Sequence, residues 1–210
     1  CLWFYSRDRI ARKHGGLVLP QKPWKLDLPE IILFLGMGAA FSQYANMLVG
    51  MLQSVLNYQE YQETMDQMTA GKSMWFLLIC MGVIAPLAEE IVFRWLIYLR
   101  LRDYMRIGFA MVISGMIFGI YHGNLVQAVY AGILGMVFAD FLEITDCLWS
   151  SVLLHMGANI WSLVSPDLVN WMLQKNPMYI LIMLFALILI LVYGFLYFRA
   201  RAKGRTKRVL

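Results

Sequence analysis

The residues of this chain that could do chemistry are few, and they lie inside apolar stretches. They are two adjacent glutamates, an arginine, two histidines and an asparagine: Glu89, Glu90, Arg94, His122, His155 and Asn159. An ionisable group in a membrane-spanning helix costs on the order of 2.5–3.5 kcal/mol, so such groups persist mainly when they are paired or functional. We therefore interpret the six residues as one candidate site in a bundle interior. The competing interpretation is that they lock helices together through buried pairs.

The spacing of these residues predicts different roles for them. Glu90 and Arg94 are four residues apart and share a helical face, so we expect an ion pair between them. Glu89 lies about 100° away around the helix, which leaves its carboxylate able to gain or lose a proton. His155 and Asn159 are also four residues apart and project from one face of another helix. The pattern predicts one carboxylate fixed as an anion beside a second that can act as an acid or a base.

Activation of water is the chemistry that fits this set. A glutamate beside a histidine in an apolar cavity can deprotonate water, and a second histidine with an asparagine amide can donate hydrogen bonds to an oxyanion. Together these groups would support hydrolysis of a peptide bond. Alternatively, Glu89, His122 and His155 could ligate zinc and leave a fourth position open. The chain contains no HExxH pattern that would favour the zinc alternative.

Serine and aspartyl chemistry are less favoured. Ser114 and Ser151 lie in or near apolar segments, but neither stands in a GxSxG context. Asp140 is the only aspartate inside or at the end of a predicted span, so a pair of catalytic aspartates is not expected.

The neighbours of the two histidines bear on the metal question. Zinc ligands are usually oriented by a second acceptor, often a carboxylate. Near His122 the local sequence offers only Tyr121 and Asn124, and near His155 it offers only Asn159. We therefore expect catalysis without a cofactor, with zinc as the alternative.

Composition indicates which elements must position these groups. Of 210 residues, 60% are hydrophobic and 15% are charged, whereas a soluble domain usually carries about 25% charged residues. A helix needs about 20 apolar residues to cross a bilayer core. Six segments approach that requirement, namely 31–52, 73–101, 107–121, 125–139, 147–165 and 178–198. The sequence predicts an all-α polytopic bundle of about six visible spans, with 57–72 as a polar, acidic loop or interfacial helix.

The basic residues predict the orientation of the spans. If the N-terminal segment is cytoplasmic, alternation places 1–30, 100–106, 142–146 and 199–210 inside. These segments hold fifteen lysines and arginines, whereas the outside loops hold two, Lys72 and Lys175. We predict that both termini are cytoplasmic and that the site is reached from that side. The chain starts with Cys1 rather than methionine, so we expect a further segment before it.

Three motifs, in order, carry a resemblance to a known family. Glu89-Glu90-xxx-Arg94, Phe118-xxx-His122 and His155-xxx-Asn159 resemble the motif series of the CPBP family of CAAX proteases and bacteriocin-processing enzymes, also called Abi. The Ras-converting CAAX endopeptidase is its eukaryotic relative. The resemblance covers residues 85–165. One departure is Gly123, where a larger apolar residue is common after the motif histidine.

The resemblance implies a role for each motif residue. It implies that Glu89 is the general base, with His122 helping to activate water. It further implies that His155 and Asn159 stabilise the oxyanion, and that Glu90, Arg94 and Phe118 support the site.

The family also implies an intramembrane endopeptidase of the glutamate type, in a bacterial plasma membrane, acting on a membrane-associated, prenylated or leader peptide. The alternative is a non-enzymatic immunity or transporter-like protein that uses the same polar residues structurally. Besides the peptide and the bilayer, no nucleic-acid partner is expected, because the basic residues flank the apolar runs. We divide the chain into an N-terminal membrane region (1–72), a catalytic core (73–165) and a C-terminal span with a basic tail (166–210).

Overall fold

The structure, a computed structural model, describes residues 2–17, 25–51 and 58–206, and these are almost entirely helical. Within the described ranges there are eight helices and no strand. They are α1 (Leu2–Gly15), α2 (Leu28–Met51), α3 (Tyr58–Thr69), α4 (Met74–Tyr104), α5 (Ile107–Tyr121), α6 (Leu125–Thr145), α7 (Leu148–Lys175) and α8 (Met178–Thr206). The predicted all-α bundle is confirmed.

Four of these helices, α2, α4, α6 and α8, are long and apolar enough to cross a membrane. The other two predicted spans are α5, which is apolar but 15 residues long, and α7, which has 28 residues and carries the polar site residues His155 and Asn159. Helix α3 falls in the 57–72 segment, of which Asn57 lies outside the described residues. Helix α1 is an element that our prediction omitted, because the basic residues of 1–30 mask any apolar pattern.

Glycines allow two pairs of helices to approach each other closely. A β-carbon at Gly38 of α2 would overlap the Leu154 carbonyl of α7, and one at Gly157 of α7 would overlap the Leu35 carbonyl of α2. Gly119 of α5 lies equally close to the backbone of α6. Close packing of this kind drives helix association in a bilayer, because lipid is as apolar as the side chains. The crossings hold α5, α6 and α7 around α4, which carries the two glutamates.

Ion pairs gather the basic segments at one end of the bundle. They join α1 to α4, α4 to α6, α6 to α8 and α2 to α8, through Arg12–Asp103, Arg102–Glu143, Arg199–Asp140 and Arg201–Glu30. We call this the basic end: α1, the N-terminus of α2 and the C-termini of α4, α6 and α8. The segments predicted to share one side of the membrane therefore do lie together. That this side is cytoplasmic stays a prediction.

Candidate active site

Four polar side chains form a row from the bundle interior to the surface of a cavity, in the order Arg94, Glu90, His155 and Glu89. Arg94 Nε lies 3.0 Å from Glu90 Oε2, and His155 Nδ1 donates a hydrogen bond to Glu90 Oε1 at 3.0 Å. His155 Nε2 lies 3.7 Å from Glu89 Oε2. Glu90 and Arg94 are fully buried, whereas 21% of the Glu89 side chain is exposed. The expected Glu90–Arg94 ion pair is confirmed, and Glu89 is the carboxylate that remains partly exposed.

Arg94 is surrounded by aromatic rings. Its guanidinium centre lies 4.7 Å from the ring centroid of Phe118 and 5.6 Å from that of Phe138. Although Arg94 lies within ion-pair distance of Glu90, its nitrogens form no hydrogen bond within the described part of the chain. A cation over an aromatic face gains about 0.5–2 kcal/mol, more when it is desolvated. The rings therefore replace part of the hydration that this charge lost on burial.

Phe118 connects the three motifs. Besides lying under Arg94, its ring packs edge-on against His122 and His155, with ring centroids 4.8 and 5.5 Å apart. Edge-to-face contacts of this kind are the preferred geometry between aromatic rings. Phe118 is therefore placed to support the site, as the resemblance implies.

His122 ends helix α5, and its backbone environment determines its tautomer. Nδ1 lies 2.8 Å from the Phe118 carbonyl oxygen. Because a carbonyl can only accept, the proton is on Nδ1, and Nε2 of the neutral ring keeps its lone pair. Gly123 follows with a φ of +78°, a conformation that glycine adopts at no steric cost. The departure from the family pattern at Gly123 thus lets the chain turn immediately after His122.

Asn159 bonds to an irregular part of α4. Glu89 lies between two π-helical stretches, Cys80–Ile84 and Ile91–Tyr98, and π-helical turns occur frequently at functional sites. In the π-helical register the Met81 carbonyl would accept from residue 86, but Pro86 has no N–H. Asn159 Nδ2 donates to that carbonyl instead, at 2.9 Å. An amide nitrogen has two hydrogens, so the second remains for a ligand.

The open faces of these residues line a cavity of about 640 Å³. Glu89, His122 and Asn159 lie in its wall, whereas His155 is 4% exposed and lies behind Glu89. Glu89 is the sole carboxylate among the lining residues that the structure describes. The helices that carry Glu89, His122 and His155 do pack together, but His155 does not line the cavity.

The cavity lies at the end of the bundle opposite the basic end. Its wall comes from the C-terminal halves of α2 and α7, the end of α5 and the start of α6, and α3 adds Tyr61, Met65 and Met68. We call this the cavity end. If the basic end is cytoplasmic, the cavity lies toward the other side of the membrane. Cytoplasmic access, which we predicted together with cytoplasmic termini, stays a prediction.

The alternative nucleophiles are engaged elsewhere. Ser114 and Ser151 are fully buried and donate to the carbonyls of Phe93 and Phe138, at 3.1 and 2.9 Å. Asp140 pairs with an arginine of α8 at 3.0 Å. None of the three lines the cavity, so the geometry favours Glu89.

The sequence argument against zinc needs a correction at His155. Glu90 accepts from its Nδ1, so a carboxylate does orient this ring. That carboxylate comes from another helix and is invisible in the local sequence. Even so, within the described residues no three His, Cys, Asp or Glu side chains stand close enough to hold a metal ion. Catalysis by Glu89, His122 and His155 without a metal ion stays a prediction.

Sequence reasoning missed a cluster of three hydroxyl groups, two of which, Tyr130 and Ser162, lie in the cavity wall. Ser42, Tyr130 and Ser162 come from α2, α6 and α7, and their oxygens lie 2.8, 2.9 and 3.3 Å apart. Beside them, Gln43 accepts from Trp161 Nε1 at 2.8 Å. The adjacent polar pair Ser42-Gln43 inside a predicted span was the signal that could have indicated them.

Comparison with known proteins bears on the predicted family. Residues 71–161 match the family described as type II CAAX prenyl endopeptidase Rce1-like. The chain is 26% identical over 106 residues to the "Putative membrane peptidase YdiL" of Bacillus subtilis (strain 168). That match covers 50% of this chain and 43% of the relative, so it spans less than half of the relative's length. No solved structure matches the chain.

The matched segment contains every predicted site residue, from Glu89 to Asn159. Residues 71–161 therefore resemble the Rce1-like CAAX protease family, as the motif series predicts. The apolar helices make the chain an integral membrane protein.

Proposed function

We propose that this chain is the catalytic part of an intramembrane endopeptidase that uses water to hydrolyse a peptide bond. The observation that supports this most is that Glu89, the sole carboxylate of the described cavity wall, faces the same cavity as His122 and lies 3.7 Å from His155 Nε2. A general base must lie within hydrogen-bond reach of the proton it removes. A water molecule in this cavity meets that requirement against Glu89.

In the proposed reaction Glu89 takes a proton from water while the water oxygen attacks the carbonyl carbon of the peptide bond. Nε2 of His122, which keeps its lone pair, accepts a hydrogen bond from the second O–H of the same water and so orients the water. The carbon–nitrogen bond of the tetrahedral intermediate then breaks. Glu89 returns its proton to the leaving amine, so one water yields one carboxylic acid and one amine.

The developing oxyanion requires a hydrogen-bond donor that faces the cavity. Asn159 has one N–H on Met81 and a second available to the oxyanion. The resemblance gives His155 the same task, but its burial between two carboxylates supports a positioning role. We propose that Asn159 stabilises the oxyanion and that His155 orients Glu89.

The proposed substrate is a peptide segment of a membrane-associated protein, including a prenylated or leader peptide. Apart from Glu89 and His122, the described cavity wall consists of apolar side chains and uncharged polar groups such as those of Gln43 and Asn46. Such a wall suits a neutral main chain that enters from within the bilayer. The chemistry needs no metal, and we place the protein in a bacterial plasma membrane.

Replacement Glu89→Gln tests the proposal, because it keeps the shape of the side chain and removes the base. We expect cleavage of a fluorogenic peptide library by the purified protein to fall about 10²–10⁴-fold, the usual contribution of a general base. The matched control is Asp140→Asn, which removes a carboxylate outside the cavity and should leave cleavage intact. Membrane abundance should be unchanged in both variants.

The opposite result would favour the non-enzymatic alternative. If Glu89→Gln left immunity or transport phenotypes intact, the buried polar residues would have a structural role, and the peptidase proposal would fail. Intact cleavage by Glu89→Gln would show instead that Glu89 is not the base.

A further inference from the structure

We propose that the groove between α1 and α4 at the basic end binds one anionic phospholipid. This groove has a volume of about 450 Å³ and lies between α1 and the last turns of α4. It is separate from the cavity that contains Glu89, and the proposal does not depend on peptidase activity.

The walls of the groove are suited to a hydrocarbon chain. Trp3, Phe4 and Ile10 line it from α1, and Leu96 lines it from α4. The three α1 side chains are 61%, 60% and 59% exposed. Large apolar side chains on one face of an otherwise basic helix are typical of helices that lie in the membrane interface. A lipid chain would cover the surface that the protein leaves open.

Two arginines give the groove its charge. Arg7 lies over the Trp3 ring, with its guanidinium centre 5.0 Å from the centroid, and has no carboxylate partner within the described residues. Arg100 is 51% exposed, donates to the Leu96 carbonyl and pairs with Asp8. Asp8 also pairs with Arg12, so one carboxylate is shared by two guanidinium groups. The excess positive charge complements a phosphate.

The groove is held in place by a buried contact. Arg12 is 2% exposed and binds both oxygens of Asp103 at 3.1 and 2.7 Å. This bidentate pair fixes α1 against the end of a membrane-spanning helix, at the depth where head groups lie. Apolar walls lie beside Arg7, which has no carboxylate partner among the described residues, and Arg100, which shares Asp8 with Arg12. This arrangement matches a phospholipid with its acyl chain inward and its phosphate on Arg7 and Arg100.

The test compares lipids on the purified full chain by native mass spectrometry and thermal unfolding. We expect one phosphatidylglycerol to bind and to raise the melting temperature, and phosphatidylcholine to do neither. Arg7→Gln, which breaks no ion pair, should weaken phosphatidylglycerol binding about fivefold, the factor for about 1 kcal/mol per basic residue at an anionic surface. Arg9→Gln removes the same charge outside the groove and should leave binding unchanged. Trp3→Ala should also weaken phosphatidylglycerol binding.

Three results would overturn the proposal. Equal binding of both lipids would show that charge is not recognised. Equal weakening by Arg7→Gln and Arg9→Gln would show diffuse attraction rather than a site. Displacement of phosphatidylglycerol by millimolar inorganic phosphate, with no effect of Trp3→Ala, would show a simple anion site.

Discussion

The two ends of this bundle use the same charged residue types in opposite ways. At the basic end, arginines form hydrogen-bonded pairs with carboxylates, as between Arg12 and Asp103 at 2.7 Å and between Arg102 and Glu143 at 2.8 Å. At the cavity end, Arg94 lies near Glu90 without a hydrogen bond among the described residues, and Glu89 is 3.7 Å from its nearest imidazole nitrogen. The ion pairs between helices at the basic end are hydrogen-bonded, whereas the Arg94–Glu90 pair is not.

This difference distinguishes ion pairs that hold helices together from polar groups that are available for chemistry. A satisfied ion pair fixes two helices but has no capacity left for a ligand. An incompletely satisfied polar network in a low-dielectric interior is costly, so its persistence around Glu89 is consistent with a function that needs a free acceptor. The predictions below contrast the two ends, from the largest expected effect to the smallest.

Removing an arginine from each end should have very different consequences. Arg94→Ala leaves the carboxylate of Glu90 buried without its cation, so we expect it to lower the free energy of unfolding by about 3–5 kcal/mol. Arg199→Ala at the basic end breaks an exposed pair with Asp140 and should cost at most about 1 kcal/mol. Chemical denaturation in micelles and membrane abundance measure both. Normal abundance of Arg94→Ala with loss of cleavage would instead place Arg94 in the chemistry.

Asn159→Ala should lower kcat about 10²–10³-fold with little change in KM, because it removes a donor used mainly in the transition state. The matched control is Asn46→Ala, an amide in the same cavity wall, which should change kcat less than tenfold. Steady-state kinetics on one fluorogenic peptide compares them. If Asn159→Ala lost stability and kept its kcat, the bond to Met81 would be its whole role.

The direction in which the cavity opens can be measured by thiol labelling in intact cells. In a background without Cys1, Cys80 and Cys147, we expect Met68→Cys at the cavity end to react with a membrane-impermeant maleimide. Lys203→Cys at the basic end should be protected until the cells are opened. The reverse pattern would place the basic end outside and restore cytoplasmic access to the cavity.

Chelation should have the smallest effect. The purified protein should keep its activity after exhaustive treatment with a chelator, and elemental analysis should find no stoichiometric zinc, because Glu89 supplies the base. Activity that disappears on chelation and returns with zinc would contradict the metal-free mechanism and leave the peptidase proposal in place.

Much of the fold and part of the site follow from the sequence. Runs of apolar residues predict the spans, because a bilayer requires a minimum helix length whatever the neighbours are. The four-residue spacing of Glu90 and Arg94 predicts their ion pair, since both lie on one helix and its geometry alone brings them together. The exposure of Glu89 relative to Glu90 follows from the same helical rotation. These are local properties of the chain.

Contacts between helices were decided only by the tertiary structure. The carboxylate that orients His155 comes from Glu90, 65 residues earlier, and the residues near His155 in the sequence include no such partner. The hydrogen bond from Asn159 to Met81, the hydroxyl cluster around Ser42 and the end at which the cavity opens were equally invisible. Each depends on how two helices rotate and slide against each other. Packing of glycines such as Gly38 and Gly157 sets that register, and periodicity along one helix carries no information about it.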